Sequence, residues 1–573
     1  MIITFTDNMK TFPSLFSISL ILFASFQVSM AQTSMETVPN GWHWLDREKD
    51  GVFGISLDKA YDSLLNNRKA ARTIVVAVID SGIDSVHEDL KPVLWRNTGE
   101  IPGNGIDDDR NGYIDDLHGW NFLGSKDGRN VGKDSYEAAR VYYRLKAKYG
   151  SGQVDASVLN ATERHEYETY RKSKERIESQ AKEASMYVLF LGNVVDKLPT
   201  ADSLLRGALG KDVFTGNELS KLKPETPEVG KAKGTLLGLF QQTQQMDNTN
   251  KNLIREITTF LEGERGKVEA ARQAPRDYRG EVVGDNYEDV NDRGYGNYDL
   301  MASDPSHGTH VAGIIGAVRN NGKGVQGVAD NVRIMTLRAV PDGDEHDKDI
   351  ANAIRYAADN GAWVINMSFG KSFSPQKKWV DDAVRYAESK GVLLIHAAGN
   401  DAKNIDVEDN FPNPKFDNDS TRQATNWITV GASGPKGDMI AADFSNYGRA
   451  VDVFAPGVEI YSTLPGGDQY GNQQGTSMAS PVVAGLAALI LSHYPTLSPN
   501  QVKEVIERSV STVTVPVVMP GSEAKISFQD LCRTGGIVNA YEAIKLASTL
   551  KGNRMLNPAK PADKKNATKR SGN

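Results

Sequence analysis

The chain reads as an α/β protein: a mostly parallel sheet with helices on both faces, interrupted by an α-helical insertion. Three observations predict this. Thr73–Ile79 (TIVVAVI), Ala362–Ser368 (AWVINMS) and Val392–Ala398 (VLLIHAA) are short, near-continuous apolar runs, as expected of strands buried on both faces. Segments of helical length, Lys348–Asn360 and Trp379–Lys390, alternate with them, and such alternation implies a parallel sheet. From Asp134 to about Arg276 the composition shifts to Lys, Glu, Ala, Gln and Leu, with helical runs near Ser135–Tyr149, Thr162–Leu198 and Asn250–Arg272.

At 573 residues the chain exceeds one ordinary domain, and its 24% charged and 39% hydrophobic residues describe a globular protein. A net charge of -7 argues against general nucleic-acid binding. The single cysteine, Cys532, excludes an intrachain disulfide, a CxxC pair and a cysteine zinc site, and its neighbours Leu531 and Arg533 point to a packing role. At the N-terminus Lys10 precedes the apolar run Phe12–Val28, and Ser29-Met30-Ala31 places small residues where cleavage is read. Residues 1–31 are therefore expected to be a signal peptide, with export to the periplasm, cell surface or medium. Gln32 in place of cysteine speaks against a lipoprotein anchor at that junction, and no later stretch is expected to be long and apolar enough to span a membrane.

The first part of the main domain is expected over 32–133. Its lead-in, Gln32–Arg72, is too short for a folded inhibitory pro-domain. The strand Thr73–Ile79 ends in Asp80-Ser81-Gly82, so an acidic side chain sits at the carboxyl end of a parallel strand, where α/β sheets place their sites. An acidic loop follows. Counted from Asp107, oxygen side chains fall at positions 1, 3, 5 and 9 (Asp107, Asp109, Asn111, Asp115), with Gly112 at position 6. That is the front half of an EF-hand loop, although His118 stands where the bidentate glutamate belongs. Five aspartates in ten residues repel one another without a cation. The expectation is a structural Ca2+ held by Asp107, Asp109, Asn111, Asp115 and the Tyr113 carbonyl; the alternative is a solvated acidic loop. A second acidic stretch, Asp285–Asp292, has less specific spacing.

Residues 134–276 carry no constellation of catalytic residue types and form the insertion. The main domain resumes over 277–550. His307 and His310, in Ser306-His307-Gly308-Thr309-His310, share a face of a helix, but Gly308 occupies the glutamate position of a zinc motif. Asn400 follows the strand Val392–Ala398; it either holds a turn or offers an amide donor to an oxyanion. Gly475-Thr476-Ser477-Met478 leads into the apolar helical run from Val482, which puts Ser477 at a helix start, either as an N-cap or as an exposed hydroxyl beside free backbone donors. From Lys551 to 573 seven Lys/Arg against one Asp predict a disordered basic tail.

Together VAVIDSGID around Asp80, HGTHVAG around His307, AAGN ending at Asn400 and GTSMASPVVAG around Ser477 resemble the subtilisin-like serine proteases, the subtilase family. The order Asp, His, Ser is the subtilisin order. The resemblance covers about 73–127 and 284–546 and implies a three-layer α/β/α fold. It implies that Ser477 is the nucleophile of a serine endopeptidase, His307 the general base and acid, and Asp80 the residue that orients His307. Asn400 and the Ser477 N–H would hold the oxyanion. It also implies polypeptide substrates, paired by backbone hydrogen bonds near Val340 and Ser368-Phe369-Gly370, with Ala398-Gly399 beside the pocket for the side chain before the cut. Asp80 and His307 lie 227 positions apart because of the insertion, which is left to restrict substrates, dock a partner or make a self-contact. Two other readings are an inactive subtilase-like binding protein and a calcium-loaded surface protein.

Overall fold

The computed structural model describes residues 39–555, apart from 153, 244, 247 and 418. The expected signal peptide, 1–31, and the tail from 556 onward lie outside the described residues.

The strands are β1 (Ile74–Asp80), β2 (Gly119–Asn121), β3 (Val332–Arg338), β4 (Val364–Met367), β5 (Leu393–Ala397), the hairpin β6–β7 (Lys415–Phe416, Asp419–Gln423), β8 (Trp427–Ser433), β9 (Val453–Pro456), the hairpin β10–β11 (Ile460–Leu464, Gln469–Gln473), β12 (Ser511–Thr512), the hairpin β13–β14 (Val517–Val518, Lys525–Ile526) and β15 (Gly536–Ile537). Nine of them form one sheet in the order β12-β15-β9-β8-β5-β4-β1-β3-β2. Every neighbouring pair is parallel except β12 with β15. The chain leaves β1 toward β3 and β2, then crosses to β4 on the other side. The order thus reverses at β1, the kind of switch point beyond whose strand ends α/β sheets place their sites.

Among the described residues, six helices lie within the expected insertion: α1 (Glu137–Tyr149), α2 (Ala161–Val195), α3 (Leu198–Leu209), α4 (Gly216–Lys221), α5 (Pro227–Gln242) and α6 (Asn250–Ala270). Around the sheet lie α7 (Ser306–Gly316), α8 (Asp347–Asp359), α9 (Lys377–Ser389), α10 (Thr476–His493), α11 (Pro499–Arg508) and α12 (Ala540–Ala547). The side-chain period of two divides each strand between two cores. Val76 and Val78 of β1 and Ile334 of β3 pack with Val311, Val482 and Leu486 from α7 and α10. Ala77 and Ile79 of β1 and Leu337 of β3 pack with Ile350, Ile354 and Ala383 from α8 and α9. This is why the strands read as continuous apolar runs: both faces are covered.

α10 corrects the expectation that no later stretch is long and apolar enough to span a membrane. Thr476–His493 is long and apolar enough, but 94% of it is buried within the protein, so it is a central core helix. The lead-in also belongs to the domain: Trp42 is fully buried and its indole N–H donates to the Val458 carbonyl at 3.1 Å. At the other end, Arg554 stacks on Trp363 and donates to the Leu497 carbonyl at 3.1 Å, so the chain is held past the expected start of the tail at 551.

The insertion has its own small core of Leu198, Leu205, Phe214, Leu219, Leu236, Phe240 and Leu253. A capping box, Asn160 with Glu163, starts α2. α2 runs along α6 and α1, and the α1–α2 pair packs on the main domain through Ala138, Ala139, Ile177 and Phe373.

Candidate active site

Asp80 ends β1 and is 1% exposed. His307 sits in the first turn of α7, and its Nδ1 lies 2.7 Å from Asp80 Oδ1. The approach depends on Gly308: a Cβ there would overlap the Gly82 carbonyl oxygen and stand 3.2 Å from Asp80 Cβ. An ionised carboxylate only accepts, so the proton rests on Nδ1 and Nε2 carries the lone pair of a base. Burial opposes charge on the imidazole, but the Asp80 carboxylate outweighs it and the His307 pKa is raised above its ordinary value. The side chain remains 40% exposed, open to a reactant.

Ser477 lies in the first turn of α10, after Gly475 at φ 147°. Backbone N–H groups there have no partner within the helix. Pro481, one turn on, lacks the N–H that would bond the Ser477 carbonyl. Ser368 Oγ donates to that carbonyl instead, at 2.9 Å, and is itself held by Asn366 Nδ2 at 2.9 Å. Ser477 Oγ donates to the Ser368 carbonyl at 3.1 Å, and among the described residues no hydrogen bond joins it to His307.

Asn400 follows the carboxyl end of β5 and is exposed. Its Oδ1 accepts from the Thr476 backbone N–H at 2.9 Å and the Thr476 hydroxyl at 2.8 Å. With the oxygen occupied, Nδ2 is the free end. A Cβ placed on Gly475 would lie 3.2 Å from Asn400 Nδ2 and 3.6 Å from the Ser477 nitrogen, so two donors border one space that glycine leaves open. Two nitrogens able to donate beside one such space suit a developing oxyanion.

The residues expected to bind substrate gather around this point. Val340 follows β3, and its N–H donates to the Asp80 carbonyl at 3.2 Å. Ser368, Phe369 and Gly370 follow β4, and His396 Nε2 lies 2.8 Å from the Phe369 carbonyl oxygen. The Ala398 carbonyl accepts from Asn410 Nδ2 at 3.0 Å and Asn446 Nδ2 at 2.8 Å, and the Gly399 N–H donates to Thr476 Oγ1 at 3.1 Å. Sequence reasoning missed Thr476, Asn366, Asn410 and Asn446; only Thr476, next to Ser477, carried a signal. His310 is fully buried and bonded to the Gly471 carbonyl at 3.1 Å. Burial drives its pKa down to about 3, so it is a neutral core residue.

In the acidic loop the fold draws together Glu100, Asp109 and Asp116, with ligand oxygens within 4.8 Å of one another. Of the expected aspartate ligands, Asp109 alone belongs to this group. The Asp107 carboxylate accepts from the Asn111 and Gly112 N–H groups, at 3.0 and 2.9 Å. Asp115, at φ 55°, caps the N–H groups of Gly103, Asn104 and Gly105. The Asn111 amide donates to Asp116 Oδ2 at 2.8 Å, and the Tyr113 side chain is buried. An all-carboxylate group fits a hard cation such as Ca2+.

Comparison with known proteins bears on this arrangement. The profile described as the subtilase family matches residues 71–528. A thermophilic serine proteinase of Bacillus sp. (strain AK1) is 45% identical over 197 residues, 34% of this chain and 45% of that relative. Thermitase of Thermoactinomyces vulgaris is 34% identical over 270 residues, 46% of this chain and 85% of thermitase. An extracellular protease of Xanthomonas campestris pv. campestris is 36% identical over 266 residues, 43% of this chain and 41% of that relative. The chain thus spans less than half the length of two of these three relatives.

Proposed function

The chain belongs to the subtilase family, and from that membership we propose that it is an exported serine endopeptidase acting through an acyl-enzyme on Ser477. In this reading the Ser477 hydroxyl swings from the Ser368 carbonyl toward His307. His307 Nε2 takes its proton as Oγ bonds the peptide carbonyl carbon, and Asp80 stabilises the imidazolium. The carbonyl electron pair moves onto oxygen, between Asn400 Nδ2 and the Ser477 N–H. His307 then protonates the departing amine as the C–N bond breaks, and a water molecule repeats the sequence to release the acid.

One observation carries the reading: Asn400 is gripped by its oxygen, leaving Nδ2 beside the Ser477 N–H. A turn-holding asparagine has no need of that second feature. The extracellular character of the Xanthomonas campestris relative and the signal-like N-terminus support export. The carboxylate group supports a structural Ca2+ held by Glu100, Asp109 and Asp116, which would screen their mutual repulsion and tie the loop down.

The test is incubation of the mature protein, with calcium present, with a fluorophosphonate probe and with casein. Labelling and casein cleavage in wild type, both lost in Ser477→Ala, are the expected results. A folded wild type that is neither labelled nor proteolytic would sink the reading and favour an inactive binding protein.

A further inference from the structure

The first two insertion helices grip three chain segments that converge on the Ser477 region. Lys371, next after Gly370, is buried; its Nζ lies 2.9 Å from Glu137 Oε2 of α1 and 2.9 Å from Asp347 Oδ1, and donates to the Glu345 carbonyl at 2.8 Å. Two residues on, Phe373 packs against Ala138, Ala139 and Ile177 of α1 and α2. Arg176 of α2 lies 3.6 Å from Asp401, next after Asn400. Lys172, one turn earlier on the same face, lies 3.5 Å from Asp409. Beside Asp409, Asn410 stands between the two other segments. Its Nδ2 bonds the Ala398 carbonyl, and a Cβ on Gly370 would lie 2.9 Å from its Oδ1.

We propose that the insertion is part of the substrate cleft, with Glu137 and Arg176 as positioning residues. Through Lys371 and Asp401 they set the spacing of segments 368–371 and 398–401, and hence the size of side chain accepted before the cut. This rests on the endopeptidase reading. The two contacts contribute differently. Glu137 is buried between Lys371 and Arg140, at 2.9 and 2.7 Å, so removing its charge leaves Lys371 to Asp347 alone and moves the segment. Arg176–Asp401 is partly exposed and individually weak, so it steers more than it holds.

The test uses the full chain with Glu137→Gln, Glu137→Asp and Arg176→Ala. Fluorophosphonate titration comes first, so that every constant refers to active molecules. Steady-state kinetics follow on peptide anilides with alanine or phenylalanine before the cut. Glu137→Gln should raise KM at least fivefold with kcat within twofold and shift the Phe/Ala ratio of kcat/KM at least fivefold. Glu137→Asp should restore part of both, and Arg176→Ala should shift the ratio in the same direction by about twofold to threefold. A purely structural brace would lower only the melting temperature, leaving KM and the ratio of titrated enzyme within 1.5-fold of wild type; that result overturns the proposal. If Glu137→Gln does not fold, Arg176→Ala decides by the same criterion. Failure of wild type to be labelled would instead overturn the endopeptidase reading itself.

Discussion

Thr476 holds Asn400 by the amide oxygen alone, with its backbone N–H at 2.9 Å and its hydroxyl at 2.8 Å. The residue before Ser477 therefore aims the amide nitrogen 76 positions away. Thr476 is buried, so its end of the grip is shielded, while Asn400 stays exposed.

Asn400→Ala should lower kcat by about 10²–10³, or about 2.7–4 kcal/mol, with KM little changed, a magnitude known from subtilisin itself. Thr476→Val removes the hydroxyl but keeps the backbone donor, a loss of about 1 kcal/mol, and should lower kcat several-fold. Kinetics on one peptide substrate check both; a Thr476→Val enzyme as impaired as Asn400→Ala would mean that the threonine does more than orient.

His307 must be neutral to act as base, and its pKa is raised by Asp80 against the opposing effect of burial. Activity should therefore rise with pH through an inflection above the ordinary value of about 6.5. In Asp80→Asn the inflection should move to lower pH while kcat falls. Because the folded pKa lies above the unfolded one, protonating His307 stabilises the fold. That contribution is complete below the unfolded pKa and disappears as pH rises through the folded one. The pH profile of kcat/KM and an NMR titration of His307 measure the two effects.

Five other histidines have the opposite sign, His346 and His493 among them, each lowered first by burial. Burial lowers His43 and His310 to about 3 and His396 to about 4. They remain neutral in the fold while the unfolded chain takes up protons near 6.5, so stability should fall as pH drops from about 6.5 toward 4. The slope is up to about 1.4 kcal/mol per pH unit for each. Denaturant titrations across this range test it, and His396→Gln should flatten the slope.

Arg279 ties the segment after the insertion to α8: its Nε and Nη2 donate to Asp349 at 2.8 and 2.7 Å, and both residues are fully buried. Asp349→Ala removes one of the two carboxylates on the buried guanidinium and should cost about 3–5 kcal/mol, read by chemical denaturation. A loss below about 1 kcal/mol would show that Asp285, 2.6 Å from Arg279 Nη1, suffices alone.

Adding calcium should raise the melting temperature and chelator should lower it. At a free concentration a hundredfold above Kd, the gain is about 2.7 kcal/mol. Glu100→Gln with Asp116→Asn should abolish the response, whereas Asp107→Asn should keep most of it. Equal loss in Asp107→Asn would restore the ligand set counted from the loop spacing.

The alternating strands and helices and the four motifs were legible because each is carried by neighbours in the chain. β1 falls within one residue of the expected run, 73–79, and His307 meets Asp80 across 227 positions. The EF-hand-like count left the ligand set open because spacing does not say where a carboxylate turns: Asp115 adopts a left-handed backbone and accepts from the N–H groups of 103–105. α10 was legible as apolar, but only the packed sheet around it shows that water and lipid are both excluded.

By itself the sequence determined the chemical types and their order: an acid at a strand end, a histidine beside glycine, a serine at a helix start, an amide after a strand. These are local, because strand ends and helix starts are written in adjacent residues. Only the tertiary structure decided that Asn400 presents nitrogen rather than oxygen, that Ser368 replaces the donor Pro481 lacks, and that α1 and α2 reach Lys371 and Asp401. Each of these depends on groups far apart in the chain, brought together when the apolar faces of the sheet and helices are buried.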